Sequence, residues 1–325
     1  MFWYIFTICC CVLIIVLIFM LRRMRRNAGE LQVVREVFAA PGSKAGGGDK
    51  VDAGAIDAAD AAGATRFCFF SDVHIAAMPV PWSHILEAAR QMDPAFILIT
   101  GDLANKPEEL ESAKHFIFCL SSGTGVPVLI TPGNHDNVVA AQLPGGKAEF
   151  VDTFTSLPGD VRVLDDNYTV VADTLIGGLS DMRTRVTPAG GLIEEWSRIA
   201  AAQGLKFILA SHNADILLSG DNADILLSGD NAVDRAAGDV NVPLPLPAYA
   251  PYGVFCGHTH GGQIRLVAGL EFKVIKDDKL PKQGIFYGHH DVGGFPLLLT
   301  SGLGCALFRL RSGTRPEVVE VILGN

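Results

Sequence analysis

Short hydrophobic runs recur along the chain, and five of them end in polar segments that carry Asp, His or Asn. The runs cover residues 66–71, 95–100, 126–132, 206–210 and 252–256. Each run is short, is bounded by turn residues and contains β-branched or aromatic side chains, which favours a buried strand. The polar segments that follow these runs are Asp72–His74, Gly101–Asp102, Gly133–Asp136, Ser211–Asn213 and Gly257–His260.

Apolar residues at helical spacing lie between these strands. The stretches Trp82–Met92, Glu108–Ser121 and Ile193–Ala202 each predict a helix that buries one face. After His260 the pattern changes to short strands, predicted over residues 263–267, 284–288, 295–300 and 318–323. Strands that alternate with helices and then give way to a β-rich end indicate two β-rich layers flanked by helices.

The five polar segments are predicted to lie close together, because loops at the carboxyl ends of strands in an open α/β sheet converge on one crevice. Their side chains offer oxygen and imidazole nitrogen but no thiolate, which suits two divalent cations of the Mn, Fe or Zn class better than a structural zinc. A lone D-x-H or G-D segment usually reflects turn chemistry, since Asp and Gly are favoured in turns for backbone reasons. The five segments together, in this order, point instead to a metal site.

The order D-x-H, G-D, G-N-H-D, H and G-H-x-H resembles the calcineurin-like metallophosphoesterase superfamily over roughly residues 65–323. Two further regions, Cys256–Leu266 and the C-terminal stretch that starts at Thr300–Gly304, resemble its membrane-linked YkuE/YaeI-like phosphodiesterase branch. The chlamydial-type UDP-2,3-diacylglucosamine pyrophosphatase is similar to that branch too. The resemblance implies an α/β fold of four layers, an α/β/β/α sandwich, in agreement with the pattern of strands and helices.

The resemblance also implies how two metals share their ligands. It assigns the first metal to Asp72, His74, Asp102 and His260, and the second to Asp102, Asn134, His212 and His258. The Asp102 carboxylate is expected to bridge, since one anionic group with two oxygens can hold two cations about 3.5–4 Å apart. Such a pair of cations would activate a water for attack on phosphorus and neutralise the phosphate oxygens.

Three further residues are expected to act beside the metals. His135 is placed to donate a proton or a hydrogen bond to the leaving oxygen or to a non-bridging oxygen, and it is not expected to coordinate a metal. Asp136 is expected to fix the tautomer and orientation of His135. Arg265 is a candidate for contact with the substrate phosphate, with an ordinary ion pair on a strand as the equal alternative.

The chain begins with an apolar run whose flanks indicate a membrane anchor. Met1–Leu21 contains one clearly polar side chain, Thr7, and four arginines lie within the next five residues. About 20 apolar residues are needed to cross the hydrocarbon core, and a cleaved signal peptide carries its charge before the apolar run. The sequence therefore predicts a single-pass helix in the cell inner membrane with the domain in the cytoplasm. The alternative, an interfacial anchor, is less favoured because the run has no polar face.

The rest of the organisation follows from composition. We predict the anchor over 1–21, a basic juxtamembrane segment and Gly/Ala/Asp-rich linker over 22–64 with a candidate edge strand at 31–40, and a phosphoesterase domain over 65–325. The net charge of −9, without a basic stripe in the domain, argues against nucleic-acid partners. Seven cysteines without a spacing pattern suit a reducing compartment. Residues Asn213–Asp221 recur unchanged as Asn222–Asp230, which indicates a short tandem duplication.

The expected function is metal-dependent hydrolysis of a phosphodiester or pyrophosphate bond at the cytoplasmic face of the membrane. A nucleotide-activated lipid such as UDP-2,3-diacylglucosamine is an attractive substrate by analogy and by location, although a fold alone does not fix a substrate. The alternative is a non-catalytic, membrane-anchored scaffold that retains the phosphoesterase fold. The competent residue at every ligand position argues against a scaffold, and the sequence makes no prediction of oligomeric state.

Overall fold

Helices and strands alternate along the chain in the computed structural model, which describes residues 2–41, 63–182, 184–185, 187–218, 243–265, 278–306 and 308–324. The first elements are α1 (Phe2–Gly29), β1 (Gln32–Phe38), β2 (Thr65–Phe70), α2 (Trp82–Met92), β3 (Ile97–Ile99), α3 (Leu110–Thr124), β4 (Val128–Ile130), α4 (Asn134–Ala140), α5 (Gly146–Thr155) and β5 (Val161–Val163). The remaining elements are β6 (Asn167–Val171), β7 (Thr174–Leu179), α6 (Ala189–Gln203), β8 (Lys206–Ser211), β9 (Gly253–Cys256), α7 (Lys279–Lys282), β10 (Gly288–Val292), β11 (Phe295–Leu299) and β12 (Glu317–Leu323). Short 3-10 helices cover Ile75–Ala77, Pro107–Glu109 and Ala214–Leu217.

In the part of the chain that the structure describes, the strands form two six-stranded sheets. Sheet A has the order β1-β12-β2-β3-β4-β5, and sheet B has the order β10-β11-β9-β8-β7-β6. Strands β2 to β5 are parallel neighbours in sheet A, and β7, β8, β9 and β11 are parallel in sheet B. Parallel strands end at one edge of their sheet, so the loops after β2, β3 and β4 share one edge and those after β8 and β9 share another.

The two sheets pack face to face through a core of aromatic and aliphatic side chains. Phe67 and Phe69 of β2 belong to this inner core, whereas Cys68 and Phe70 of the same strand face the outer core under the helices. This split follows from the alternation of side chains along a strand. The ring centroid of Phe255 on β9 lies 5.1 Å from that of Phe67 and 5.4 Å from that of Phe69, which joins the sheets.

Helices cover the outer face of each sheet. The outer core of sheet A contains Ile85 of α2, Phe116 of α3 and Phe150 of α5, and the outer core of sheet B contains Trp196 of α6. The layers therefore run helix, sheet, sheet, helix. The predicted α/β sandwich with two sheets is confirmed.

The predicted elements lie close to the observed ones. The helix predicted over Trp82–Met92 is α2, whereas α3 begins at Leu110 because Pro107–Glu109 forms a 3-10 turn. Helix α6 begins earlier than predicted, directly after Pro188. The strands predicted over 295–300 and 318–323 are β11 and β12. The segment 284–288 mostly precedes β10, and the described part of 263–267, residues 263–265, forms no strand.

The N-terminal elements differ in part from the prediction. Helix α1 spans 28 residues, and its side chains from Val12 to Leu21 are exposed. Within the described residues, no helix combines the length and the hydropathy that a bilayer crossing requires. The predicted transmembrane helix over 1–21 is therefore unsupported.

Strand β1 falls within the candidate edge strand 31–40 and pairs in parallel with β12. Sheet A thus includes residues that precede the predicted domain start at residue 65. Most of the predicted linker, 42–62, lies outside the described residues, and so does the second repeat copy, Asn222–Asp230.

Candidate metal centre

All five predicted segments follow the carboxyl ends of strands and meet where the two sheets face each other. Those after β2, β3 and β4 come from sheet A, and those after β8 and β9 come from sheet B. The backbone N–H of His258 donates to both carboxylate oxygens of Asp72, at 3.1 and 3.0 Å, and so links the two sheets. The side chains brought together are those of Asp72, His74, Asp102, Asn134, His212, His258 and His260.

Asp102 lies at the centre of this cluster. Its Oδ2 is 3.6 Å from Nε2 of His74 and 3.3 Å from Nε2 of His212. Its Oδ1 accepts the backbone N–H of His135 at 2.9 Å. One carboxylate oxygen therefore lies between a predicted ligand of the first metal and a predicted ligand of the second.

The first group of donor atoms belongs to Asp72, His74 and His260, whose candidate ligand atoms all lie within 4.8 Å of one another. Nε2 of His74 is 3.2 Å from Nε2 of His260, which is 3.4 Å from Oδ1 of Asp72. Nδ1 of His74 donates to Oδ1 of Asn105 at 2.9 Å. That hydrogen bond leaves the lone pair of His74 Nε2 free to face the group, as a metal ligand requires.

The second group of donor atoms converges on His212. Its Nε2 is 3.0 Å from Oδ1 of Asn134 and 3.1 Å from Nδ1 of His258. Its Nδ1 donates to the carbonyl oxygen of Thr100 at 2.8 Å, which directs the Nε2 lone pair into the group. Ligands bound at about 2.0–2.2 Å to one cation come this close to each other. The spacing of these donors fits a shared cation.

The electrostatics of the buried cluster also fit bound cations. Burial opposes ionisation of Asp102, but the neighbouring imidazoles, His212 first, hold the pKa of that carboxyl well below its usual range. Burial likewise opposes protonation of His212, yet the carboxylate of Asp102 outweighs it and raises the pKa of His212 to about 10. Without a cation, a proton on His212 therefore offsets the charge of the Asp102 carboxylate. A divalent cation bound at Nε2 of His212 would take the place of that proton, and the nitrogen and oxygen donors suit the Mn, Fe or Zn class.

The backbone at the ligands adopts an uncommon conformation. Five of the predicted ligands have positive φ: Asp72 at 49°, His74 at 38°, Asp102 at 55°, His258 at 69° and His260 at 51°. Asp and His adopt the left-handed region more readily than most residues, yet it still costs free energy. Such conformations cluster at functional sites, where the surrounding fold enforces them.

Asp136 does not hold the position that the sequence predicted for it. Its Oδ1 accepts the N–H of Leu103 at 2.8 Å, and its Oδ2 accepts the N–H of Gly133 at 2.9 Å. Asp136 and His135 are successive residues of α4, and successive helical side chains do not face each other. The buried carboxylate of Asp136 therefore braces the loops after β3 and β4, instead of orienting the imidazole of His135.

His135 and Arg265 lie at the margin of the cluster. The ring of His135 meets the ring of His74 edge to face, with 5.2 Å between centroids. Burial lowers the pKa of the His135 imidazole. The guanidinium of Arg265 donates to the carbonyl oxygen of Gly261 at 2.9 Å and lies 4.9 Å from the ring centre of Phe286. These contacts place Arg265 beside the loop that carries His258 and His260, at the margin of the cluster.

The side chains of Asn105 and Asp278 contact ligand imidazoles, and neither residue was predicted. Asn105 lies in the loop of Asp102, so a polar side chain there could have been flagged as a partner for a ligand. Asp278 contacts Nε2 of His258 at 3.1 Å. It stands in the charged stretch KDDKLPK, which resembles an ordinary solvated surface, and nothing in its sequence neighbourhood marks it.

Comparison with known proteins agrees with this geometry. A family model described as Calcineurin-like phosphoesterase matches residues 65–262, which is more than half of the chain. The chain belongs to the calcineurin-like phosphoesterase family. Family membership and the Asp/His clusters together support a phosphohydrolase with a metal site, as the sequence predicted.

The other comparisons are more distant. No curated protein matches the sequence at a significant level. Among solved structures, the chain is similar to the purple acid phosphatase PPD1 from yellow lupin (Lupinus luteus) seeds, with 13% sequence identity and a TM-score of 0.39. The match covers 75% of this chain and 45% of that one, so the chain spans less than half the length of the lupin enzyme.

Proposed function

We propose that this protein hydrolyses a phosphodiester or pyrophosphate bond with two divalent metals. The position of Asp102 Oδ2, within 3.6 Å of His74 and 3.3 Å of His212, carries the proposal. The first metal would be held by Asp72, His74, Asp102 and His260, and the second by Asp102, Asn134, His212 and His258. Both sets contain only the oxygen and nitrogen donors that such metals accept.

Two residues, His135 and Asp136, would act beside the metals, each in a different way. When bound, the metals would supply the Lewis acidity that activates water and offsets the charge on the phosphate oxygens. His135 is anchored by its backbone N–H to Asp102, so its ring stays beside the cluster. Its imidazole would donate a proton or a hydrogen bond to the leaving oxygen or to a non-bridging oxygen. Asp136 would keep the two ligand loops at a fixed separation.

The scaffold hypothesis makes a different prediction for the same site. A scaffold would retain the fold and bind metal weakly or leave the phosphate ester intact. The protein purified with added Mn²⁺ or Zn²⁺ should contain about two metal ions and hydrolyse bis(4-nitrophenyl) phosphate. The Asp102→Ala variant serves as the matched control and should lose both properties. A folded wild-type protein that binds two metals and turns over neither this diester nor a nucleoside diphosphate ester would favour the scaffold.

We also propose that the enzyme acts at the cytoplasmic face of a membrane. The exposed apolar side chains of α1 from Val12 to Leu21 form a surface that lipid would cover. The base of α1 lies next to the ligand loops, since Arg311 donates its N–H to the carbonyl oxygen of Met24 at 3.1 Å. Thr314 in the same C-terminal loop donates to the carbonyl oxygen of the ligand His260 at 3.1 Å.

This arrangement supports a lipid-linked substrate. A site close to the base of an apolar helix would meet phosphate groups at the membrane surface, as in UDP-2,3-diacylglucosamine. The arginines that follow the apolar run favour the cytoplasmic side. The experiment compares turnover of such a lipid in vesicles with turnover of its water-borne head group. A marked preference for the lipid supports the proposal, and equal turnover of both contradicts it.

Membrane attachment itself is tested by fractionation of the full-length protein. We expect it in the membrane fraction. The double substitution Ile14→Lys, Leu17→Lys places charges on the exposed apolar surface of α1 and should release the protein. In right-side-out spheroplasts the domain should resist added protease, and digestion without lysis would contradict the cytoplasmic orientation.

A further inference from the structure

The imidazole of His258 has a different neighbour at each of its two nitrogens. Nδ1 lies 3.1 Å from Nε2 of His212, inside the second group of donors. Nε2 lies 3.1 Å from Oδ2 of Asp278, on the opposite side of the ring. Both side chains are largely buried, with 10% of His258 and 8% of Asp278 exposed. Water therefore competes little for the contact between them.

The carboxylate of Asp278 is fixed by a second hydrogen bond. Its Oδ1 accepts from Nδ2 of Asn213 at 3.2 Å. Asn213 directly follows the ligand His212 and begins the first copy of the duplicated segment. The two oxygens of Asp278 thus connect the loop of His212 with the ring of His258, so one carboxylate ties together two ligands predicted for the same metal.

A different acid holds the backbone around Asp278. The carboxylate of Asp215 accepts the N–H of Lys279 at 2.5 Å and the N–H of Leu280 at 2.8 Å. Asp215 is also buried, and it lies in the 3-10 helix that follows Asn213. The chain therefore supplies one carboxylate that secures the Lys279–Leu280 backbone and another that contacts His258.

We propose that Asp278 is a positioning residue, which holds the proton of His258 on Nε2 and so presents the Nδ1 lone pair to the second metal. The inference rests on the proposed function only for the identity of what Nδ1 binds. A carboxylate opposite a metal-binding histidine fixes its tautomer and ring orientation and makes it a stronger ligand. Asp278 itself touches neither substrate nor metal in this role.

The tautomer can be observed without any substitution. Long-range ¹H–¹⁵N NMR spectra of the metal-free wild-type protein should show the proton of His258 on Nε2, with a resonance shifted downfield by the carboxylate. A proton on Nδ1 would overturn the proposal. This measurement does not depend on catalysis, so it remains decisive even if the protein hydrolyses no phosphate ester.

The substitution Asp278→Asn tests the consequence for metal binding. It preserves the shape of the side chain and removes the charge, and we expect about 10–100-fold weaker binding of the second Zn²⁺, as found for outer partners of metal-binding histidines. The first Zn²⁺ should bind as in the wild type, because His74 and His260 do not depend on Asp278. Binding of both ions is followed by titration against a chelator.

The matched control is Asp215→Asn, which loosens the same segment without removing the contact to His258. It should lower the thermal unfolding midpoint and leave the affinity for the second Zn²⁺ within about threefold of the wild type, consistent with loss of ordinary hydrogen bonds. Equal loss of the second Zn²⁺ in both variants would reduce Asp278 to a structural role and contradict the proposal. A wild type that binds two Zn²⁺ ions without any hydrolysis would contradict the proposed function and leave the role of Asp278 intact.

Discussion

Substitution of Gly257 by alanine would place a methyl group in space that the side chains of Ser71 and Asp72 already occupy. A Cβ built on Gly257 overlaps the hydroxyl of Ser71 and the carboxylate of Asp72, and it lies 2.5 Å from the Cβ of Ser71. Ser71 and Asp72 are fully buried, so the methyl group has no path to solvent. Gly257 also donates its N–H to the carbonyl oxygen of the ligand His212 at 3.0 Å, which limits how far its backbone can retreat.

The size of the effect follows from these distances. Non-bonded carbon atoms rest about 3.5–4.0 Å apart, so the contact with Ser71 must open by about 1 Å or more. Overpacking of this kind costs about 1–3 kcal/mol, which is less than the about 5–15 kcal/mol by which ordinary domains are stable. The fold should therefore persist. Misplacement of a catalytic group by about 1 Å costs on the order of 10²-fold in rate, so turnover should fall about 100-fold.

The assay distinguishes loss of folding from loss of turnover in a folded protein. Gly191→Ala in α6 is the control, because a Cβ there meets nothing within 4 Å. Both variants are compared with the wild type by thermal unfolding, metal content and kcat for bis(4-nitrophenyl) phosphate. We expect Gly191→Ala to match the wild type, and Gly257→Ala to be folded, poor in metal and slow. Wild-type metal content and turnover in Gly257→Ala would refute the claim that the ligand loops have no room to adjust.

Three further predictions concern the ligands, the core and the duplication. Asp102→Ala and Asn134→Ala should abolish hydrolysis through loss of metal. His135→Ala should keep both metals and lose turnover by about 10²–10⁴-fold, the range for a general acid–base group. Elemental analysis that shows an empty site in His135→Ala would contradict this assignment. Phe255→Ala should lower the free energy of unfolding by about 3–5 kcal/mol in urea titrations, because the ring of Phe255 joins the two sheets. A loss below about 1 kcal/mol would contradict this and show that the sheets repack around the cavity. Deletion of the second repeat copy, residues 222–230, should leave metal binding and turnover within a few-fold, because the sequence that follows His212 stays unchanged and each doubling of a loop's length changes closure entropy by only about 0.6 kcal/mol. Loss of activity in a folded protein would contradict this and indicate that the second copy shapes the substrate entrance.

The positions of the ligands could be predicted because they depend on simple features of strands. Residues 67–70 are apolar on both faces, which indicates a strand buried between two layers, and the next charged residue, Asp72, must then stand just past the strand's end. The same reasoning places Asp102 after β3 and His258 after β9. Parallel strands bring their ends to one edge of each sheet, so residues far apart in the sequence could still be predicted to lie close together.

The partners of the ligands could not be predicted in the same way. Asp136 is hydrogen-bonded to backbone N–H groups, which nearly every residue possesses, so its sequence neighbours give no indication of its partners. Asp278 follows His258 by 20 residues in the sequence, and only the fold brings the two side chains together. The α1 helix was predicted from its apolar composition. Its junction with the C-terminal loop depends on a backbone contact between Arg311 and Met24, which sequence patterns do not encode.

The pairing of β1 with β12 decides where the chain can be shortened. Seven residue pairs join these strands in parallel, from Gln32 opposite Glu317 to Phe38 opposite Leu323. A protein cut at the predicted domain start, residue 65, would lose β1 and expose the full length of β12, a strand rich in valine, isoleucine and leucine. An exposed apolar edge of this kind is a template for aggregation. A truncated protein that omits the apolar helix should therefore begin no later than Gln32, so that the edge of sheet A stays covered.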